Sequence, residues 1–259
     1  MRLPCPASTA PIVDRLIDIA DKGFCVIPGV FDDTAIAQMR CIILSNLDIM
    51  SNTRPTETAR HLAGFHRFPC FEPMHAAIST DSRVGPILDS VYCRGQMISL
   101  GLSDITINRS QLWHTDLLRG DYAKHLTRET CWETSEPPCL KALIYLQDGA
   151  SLHVLAGSHR RPIALSDDRN AVPASDAEIE SVAAKAGDVI LMDIRTIHRG
   201  STEAEMGTKG LGVDAKILIS TVFGDRYSKL AQAMQKGNAE RTVDWDMRHR
   251  PPTSSVAAA

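Results

Sequence analysis

The sequence predicts an α+β domain: a double-stranded β-helix, or cupin-like jelly roll, flanked by N-terminal helices. Three observations carry that expectation. Helical periodicity dominates the first third of the chain. Six short β-rich runs between turn residues fill most of the rest. No repeat or convincing linker divides the 259 residues. Helices followed by many short strands, without βαβ alternation, read as α+β with a double-sheet jelly roll. The expected organisation is one domain over 1–248. The terminal run His-Arg-Pro-Pro-Thr-Ser-Ser-Val-Ala-Ala-Ala, 249–259, reads as a disordered tail.

Each element has a local reason. Ile12, Val13, Leu16, Ile17 and Ile19-Ala20 recur at helical spacing, which predicts an amphipathic helix ending at Lys22-Gly23. Phe24-Cys25-Val26-Ile27-Pro28 reads as a short strand stopped by proline. Asp32 or Asp33 then caps a second helix carrying Ile36, Met39, Ile42, Ile43, Leu44 and Leu47. Residues 49–75, polar and broken by Pro55, Pro69 and Pro73, read as a long loop, with a short helix following near 82–93. Met97–Ser103, Ile105–Asn108, Leu140–Gln147, Leu152–Leu155, Val189–Met192 and Lys216–Phe223 are the strand candidates. Charged insertions over 117–138 and 162–186 interrupt them. Tyr227–Gln235 reads as a final helix closed by Gly237.

Composition narrows the function. A net charge of −3 and a pI near 6.3 leave no basic footprint for nucleic acid. No apolar run reaches the roughly 18 residues of a membrane span, and the N-terminus lacks a secretory apolar stretch. Seven cysteines without a C-x-x-C read as reduced thiols, which points to a cytoplasmic protein. The expected partner is a small molecule; the oligomeric state is not legible.

The chemistry-bearing residues are Trp113-His114-Thr115-Asp116 and, far downstream, Asp193-Ile194-Arg195-Thr196-Ile197-His198-Arg199-Gly200. In extended backbone, residues i and i+2 share a side, so His114 and Asp116 can reach one ion while Thr115 points away. His198 must arrive from a distant strand, and Val189–Met192 is the candidate to deliver it. Two imidazoles and one carboxylate hold Fe(II) on one face and leave positions open for a chelating keto acid and O₂. Alone, an H-x-D is better read as a hydrogen-bonded strand histidine and a capping aspartate.

The surroundings change that balance. Lys22-Gly23-Phe24-Cys25-Val26-Ile27-Pro28-Gly29, Gln111-Leu112-Trp113-His114-Thr115-Asp116, Leu146-Gln147-Asp148-Gly149 with Leu152-His153-Val154-Leu155-Ala156-Gly157-Ser158-His159, and Gly187-Asp188-Val189 with Arg195–Ser201 follow one another. Together they resemble the phytanoyl-CoA dioxygenase family of Fe(II)/2-oxoglutarate oxygenases, from about residue 22 to 223. Ala156 stands where that family usually has proline. The resemblance implies His114, Asp116 and His198 as iron ligands, with 2-oxoglutarate and O₂ as co-substrates. It implies oxidation, hydroxylation above all, of an unactivated C–H with release of succinate and CO₂. Related halogenases carry Gly or Ala at the carboxylate position, so Asp116 favours hydroxylation.

At the family's arginine for the far 2-oxoglutarate carboxylate, this chain has Lys216. Lysine offers a point charge where arginine grips bidentately; Arg199, Lys209 or Lys141 can share the task, and an edge-strand charge facing water is the other reading of Lys216. Lys141 shares strand parity with Leu143 and Tyr145, so its charge needs either an anionic partner or water near the strand's start. Loops 49–75 and 117–138 should overhang the iron. They carry Arg54, Arg60, His61, Arg67, Arg119, Lys124, His125, Arg128 and Trp132, which suit a small, anionic substrate or else a solvated face. His159 is read as shaping a loop and His153 as a packed strand residue. A metal-binding jelly-roll sensor, or a cupin-type enzyme without 2-oxoglutarate, are the competing readings.

Overall fold

A computed structural model describes residues 10–53, 56–117, 120–133, 136–165, 167–171 and 178–249. Helix α1 (Ala10–Lys22) ends just before Gly23 and leads directly into β1 (Phe24–Ile27). Helix α2 (Asp33–Leu44) is capped by Asp32, whose carboxylate accepts the Ala35 N–H at 2.8 Å. The region expected to be one long loop contains more structure. Short strands β2 (Ser51–Asn52) and β3 (Arg60–Ala63) pair with each other, and α3 (Glu72–Thr80) begins there. Pro73 sits in the first turn of α3, where its missing N–H costs nothing, so it starts the helix it was read as breaking. Helix α4 (Gly85–Tyr92) starts with a proline in the same way.

The two central strand candidates join as one strand, β4 (Met97–Ile107), running through Asp104. Arg241 holds that carboxylate at 2.7 and 2.9 Å, which removes the reason for a turn there. A short helix, α5 (Arg128–Cys131), lies in the first charged insertion. Strands β5 (Leu140–Tyr145) and β6 (Gly149–Leu155) follow. The second insertion holds β7 (Ile179–Ala184), then come β8 (Val189–Asp193), β9 (His198–Arg199), α6 (Glu203–Met206) and β10 (Ile217–Asp225). Helix α7 (Lys229–His249) does not stop at Gly237. A Cβ at that glycine would meet Tyr122 within 2.6 Å, so Gly237 permits close packing against residues 120–124 where a C-cap was expected. His249 closes the helix, and the remainder of the expected tail lies outside the described residues.

The strands form two antiparallel sheets: β1-β8-β5-β10-β4-β3-β2 and β7-β6-β9. This is the jelly-roll core, with α1–α4 among the elements that bury its outer face. Strand β5 shows how the two layers are specified. Leu140, Ala142 and Ile144 face the main hydrophobic core, whereas Leu143 and Tyr145 pack with Leu152, Val154 and Val182 of the smaller sheet. Both faces of β5 are therefore buried, which explains its nearly continuous apolar sequence. Lys141 has the parity of the inter-sheet face.

Candidate metal centre

The second histidine is not carried directly on β8. After Asp193 the chain turns through Ile194–Ile197 and crosses to the smaller sheet, where His198 pairs with Val154. The turn is held at each residue. Asp193 accepts the Arg195 N–H at 2.9 Å and grips its guanidinium at 2.6 Å. Thr196 donates its hydroxyl to Gly23 O at 3.2 Å, and the Ile197 N–H donates to Ser158 Oγ at 2.8 Å. Ser158 is fully buried. The Gly157-Ser158-His159 segment thus positions the neighbouring histidine; the sequence marked it only as a loop. His159 points elsewhere, its Nε2 against Ala20 O at 3.1 Å. His153 is half-buried rather than packed in a core, with Nδ1 2.8 Å from Ser181 Oγ on the paired strand.

His114 enters from the loop after β4. It forms an isolated antiparallel bridge with His198, each N–H donating to the other's carbonyl at 2.9 Å. The Asp116 N–H donates to Ile194 O at 3.2 Å, so both ends of the H-x-D are tied to the segment bearing His198. One donor atom from each of His114, Asp116 and His198 lies within 4.8 Å of the others. His114 Nε2 is 3.8 Å from Asp116 Oδ1, and His198 Nε2 is 3.9 Å from Oδ2. All three residues are buried, Asp116 to 1% exposure.

The donor chemistry fits a divalent ion. His114 Nδ1 lies 2.6 Å from Leu112 O and His198 Nδ1 3.0 Å from Thr196 O. A carbonyl accepts only from N–H, so both rings carry their proton on Nδ1 and aim the Nε2 lone pair at the shared point. Two neutral imidazoles and one carboxylate on one side suit ferrous iron with its remaining positions open. Lys141, 8% exposed, donates to Asp116 Oδ2 at 2.9 Å. It reaches the triad itself and holds one carboxylate oxygen in place.

No protein-family profile and no curated sequence matches the chain. Solved structures do. HygX from Streptomyces hygroscopicus, with nickel and 2-oxoglutarate bound, aligns at TM-score 0.61 and 20% identity over 83% of this chain and 87% of that one. The non-haem α-ketoglutarate-dependent epimerase SnoN from nogalamycin biosynthesis aligns at 0.59 and 14% over 84% of each chain. The carbocyclase SnoK from the same biosynthesis gives 0.57 and 17% over 82% and 83%. The chain has the fold of the non-haem 2-oxoglutarate-dependent enzymes. That agrees with the resemblance read from its motifs.

Within this 2-oxoglutarate-enzyme fold, Lys216 immediately precedes β10. Its ammonium donates to Ser201 Oγ at 2.8 Å and lies 5.9 Å from the centre of the Tyr145 ring. It faces a small cleft lined also by Thr106, Arg109 and Gln111, so it is not a solvated edge charge. Burial pushes its pKa down to about 8, Glu205 opposing the shift and Lys209 adding to it. Arg199 is committed elsewhere, paired with Glu205 at 2.7 Å and stacked over Trp113.

A larger cavity of about 600 Å³ lies against His114. Of the basic residues expected above the metal, Arg128 together with Trp132 lines it. The others sit on different partners: His61 faces Asp104, Arg67 pairs with Asp246, Lys124 and His125 with Glu240, and Arg60 donates to backbone carbonyls. Arg54 and Arg119 lie outside the described residues. Instead Arg109 and Arg169, one beside the H-x-D and one in the second insertion, reach the cavity. Arg109 precedes the metal motif by only five residues, a signal the sequence offered; Arg169 had none.

Proposed function

We propose that this chain is an Fe(II)/2-oxoglutarate-dependent oxygenase that hydroxylates an unactivated C–H of a small molecule. One observation carries the reading: His114, Asp116 and the distant His198 converge as a two-imidazole, one-carboxylate set beside a cavity of substrate size. Neighbours solved with iron, or with nickel and 2-oxoglutarate, support it. So do those solved with hygromycin B and nogalamycin RO, which are small molecules. When bound, the iron and keto acid supply the oxidising chemistry, with O₂ as oxidant and succinate and CO₂ as co-products.

The protein's own work is placement. His114 and His198 present Nε2 because their Nδ1 protons are spent on carbonyls. Asp116 completes the facial set, and Lys141 keeps one of its oxygens engaged. Lys216 offers a cation in a separate cleft for the far carboxylate of the keto acid. Asp116 fills the position that halide would need, which favours hydroxylation. SnoN is described as an epimerase and SnoK as a carbocyclase, so the product has to be measured. No described helix is long and apolar enough to cross a membrane, and the free thiols Cys25 and Cys139 suit a cytoplasmic location.

The test is Fe(II)-reconstituted protein with 2-oxoglutarate, O₂ and a metabolite panel. The expected result is substrate-stimulated succinate release and a product heavier by one oxygen atom. If calorimetry shows no 2-oxoglutarate binding to the Fe(II) form, the protein is a metal-binding module and the proposal fails. Turnover without succinate overturns it in favour of cupin-type chemistry.

A further inference from the structure

The wall of the large cavity carries a charge that its cofactors do not explain. Arg128 and Arg169 line it, both with exposed side chains, and no aspartate or glutamate does among the described residues; Arg109 stands between this cavity and the Lys216 cleft. The chain as a whole has more acidic than basic residues, 31 against 28, so two arginines facing one cavity with no carboxylate in its wall are a local arrangement. Both offer the planar fork that matches carboxylate and phosphate oxygens. The wall also carries an apolar strip, Trp132, Ile163 and Leu165, beside the polar Ser110, Gln111 and Thr115.

The oxygenase reading, on which this step rests, supplies no other use for those charges. Asp116 and a dianionic keto acid bring three negative charges. The divalent ion, Lys141 and Lys216 already outweigh them. A cavity of about 600 Å³ is far larger than a water cluster needs and matches a ligand of ordinary metabolite size. Burying apolar wall and pairing arginine are both satisfied by one kind of molecule. We infer that the primary substrate is an amphipathic organic anion: a carboxylate or phosphate monoester at Arg128 and Arg169, with an apolar body along Trp132, Ile163 and Leu165.

The experiment uses the full chain loaded with Ni(II) and 2-oxoglutarate, so that nothing turns over. Three matched probes are titrated, decanoate, decyl phosphate and decanamide, together with 1-naphthoate against 1-naphthamide. Binding is read from the fluorescence of the cavity tryptophans and checked by calorimetry. At least one anion should bind ten- to a hundredfold more tightly than its amide, the scale of about 1.5–3 kcal/mol for a charged hydrogen bond. Whichever anion leads identifies the oxyanion. In the Arg128→Gln/Arg169→Gln variant the preference should disappear while the amide's affinity holds; Arg128→Lys should retain part of it. Anions that bind no better than amides, or a preference untouched by both arginine changes, overturn the inference. A separate titration of 2-oxoglutarate into the Ni(II)-loaded protein reports its own binding. Loss of that binding refutes the oxygenase reading, whereas loss of anion preference alone refutes only the substrate class.

Discussion

Lys141→Met tests the centre without touching a metal ligand. Methionine keeps most of the lysine stem and removes only the ammonium that donates to Asp116 Oδ2 at 2.9 Å. Both partners are buried, 8% and 1% exposed, so in the metal-free protein the substitution removes a buried cation from beside a buried carboxylate. Removing one member of a buried ion pair costs about 3–5 kcal/mol. For a chain of this size that is a fall in Tm on the order of 6–20 °C. A divalent ion bound at the triad restores a positive charge beside Asp116, so saturating Ni(II) should recover most of the loss. Linkage then fixes a less obvious sign. Because the lysine competes with the ion for the carboxylate, Ni(II) affinity measured on the folded variant should rise. Neutral partners of metal ligands behave oppositely, their removal weakening metal binding about 10–100-fold. Adding Asp116→Asn to Lys141→Met should return much of the metal-free stability, since the carboxylate whose counter-charge was removed is then neutral too. Thermal unfolding with and without Ni(II), plus calorimetric titration of Ni(II), measures all of this. A metal-free loss below about 1 kcal/mol, or a weakened Ni(II) affinity, would refute the argument.

Three further outcomes are expected. His198→Ala removes a donor that lies within 4.8 Å of the other two; bound metal, assayed after desalting by elemental analysis, should fall to background, and an unchanged content would move the ligand elsewhere. Lys216 must be charged to pair with a carboxylate, yet its pKa sits near 8 in the ligand-free protein. Its affinity for 2-oxoglutarate should therefore hold below pH 8 and weaken up to tenfold per pH unit above it, as the free protein must first take up a proton. Lys216→Ala should raise the 2-oxoglutarate KM and flatten that profile, and a slope that survives the substitution would exonerate the lysine. Gly187 has φ +89°, and a Cβ there would sit 2.0 Å from the Phe31 carbonyl oxygen. Gly187→Ala should destabilise the fold by at least about 1–3 kcal/mol in denaturant melts, and a neutral result would mean that this turn relaxes freely.

Much of the fold is legible locally. The α1–β1–α2 start follows from helical spacing, a glycine stop and the Asp32 cap, and β5, β8 and β10 stand out as apolar runs. Pro73 was misread for a local reason, as a breaker where it starts α3; the other misreadings share a cause, a residue's role decided by a neighbour far along the chain. Asp104 looked like a strand break until Arg241 is seen to hold it. Gly237 looked like a helix end, yet it gives Tyr122 room. Strand β7 alternates only weakly, its central Val182 buried between exposed neighbours, so it needed β6 to reveal it.

For the site, the amino-acid order by itself determined which ligands exist and which two share a side, because i and i+2 geometry is a property of extended backbone alone. It left Lys141 open between an anionic partner and water near the strand's start. That it pairs with Asp116 was decided by the packing of two sheets. So was the delivery of His198 through a turn held by Ser158 and Gly23, and so was the gathering of two arginines over one cavity. Contacts between residues tens of positions apart depend on sheet register and crossover, and no local pattern encodes those.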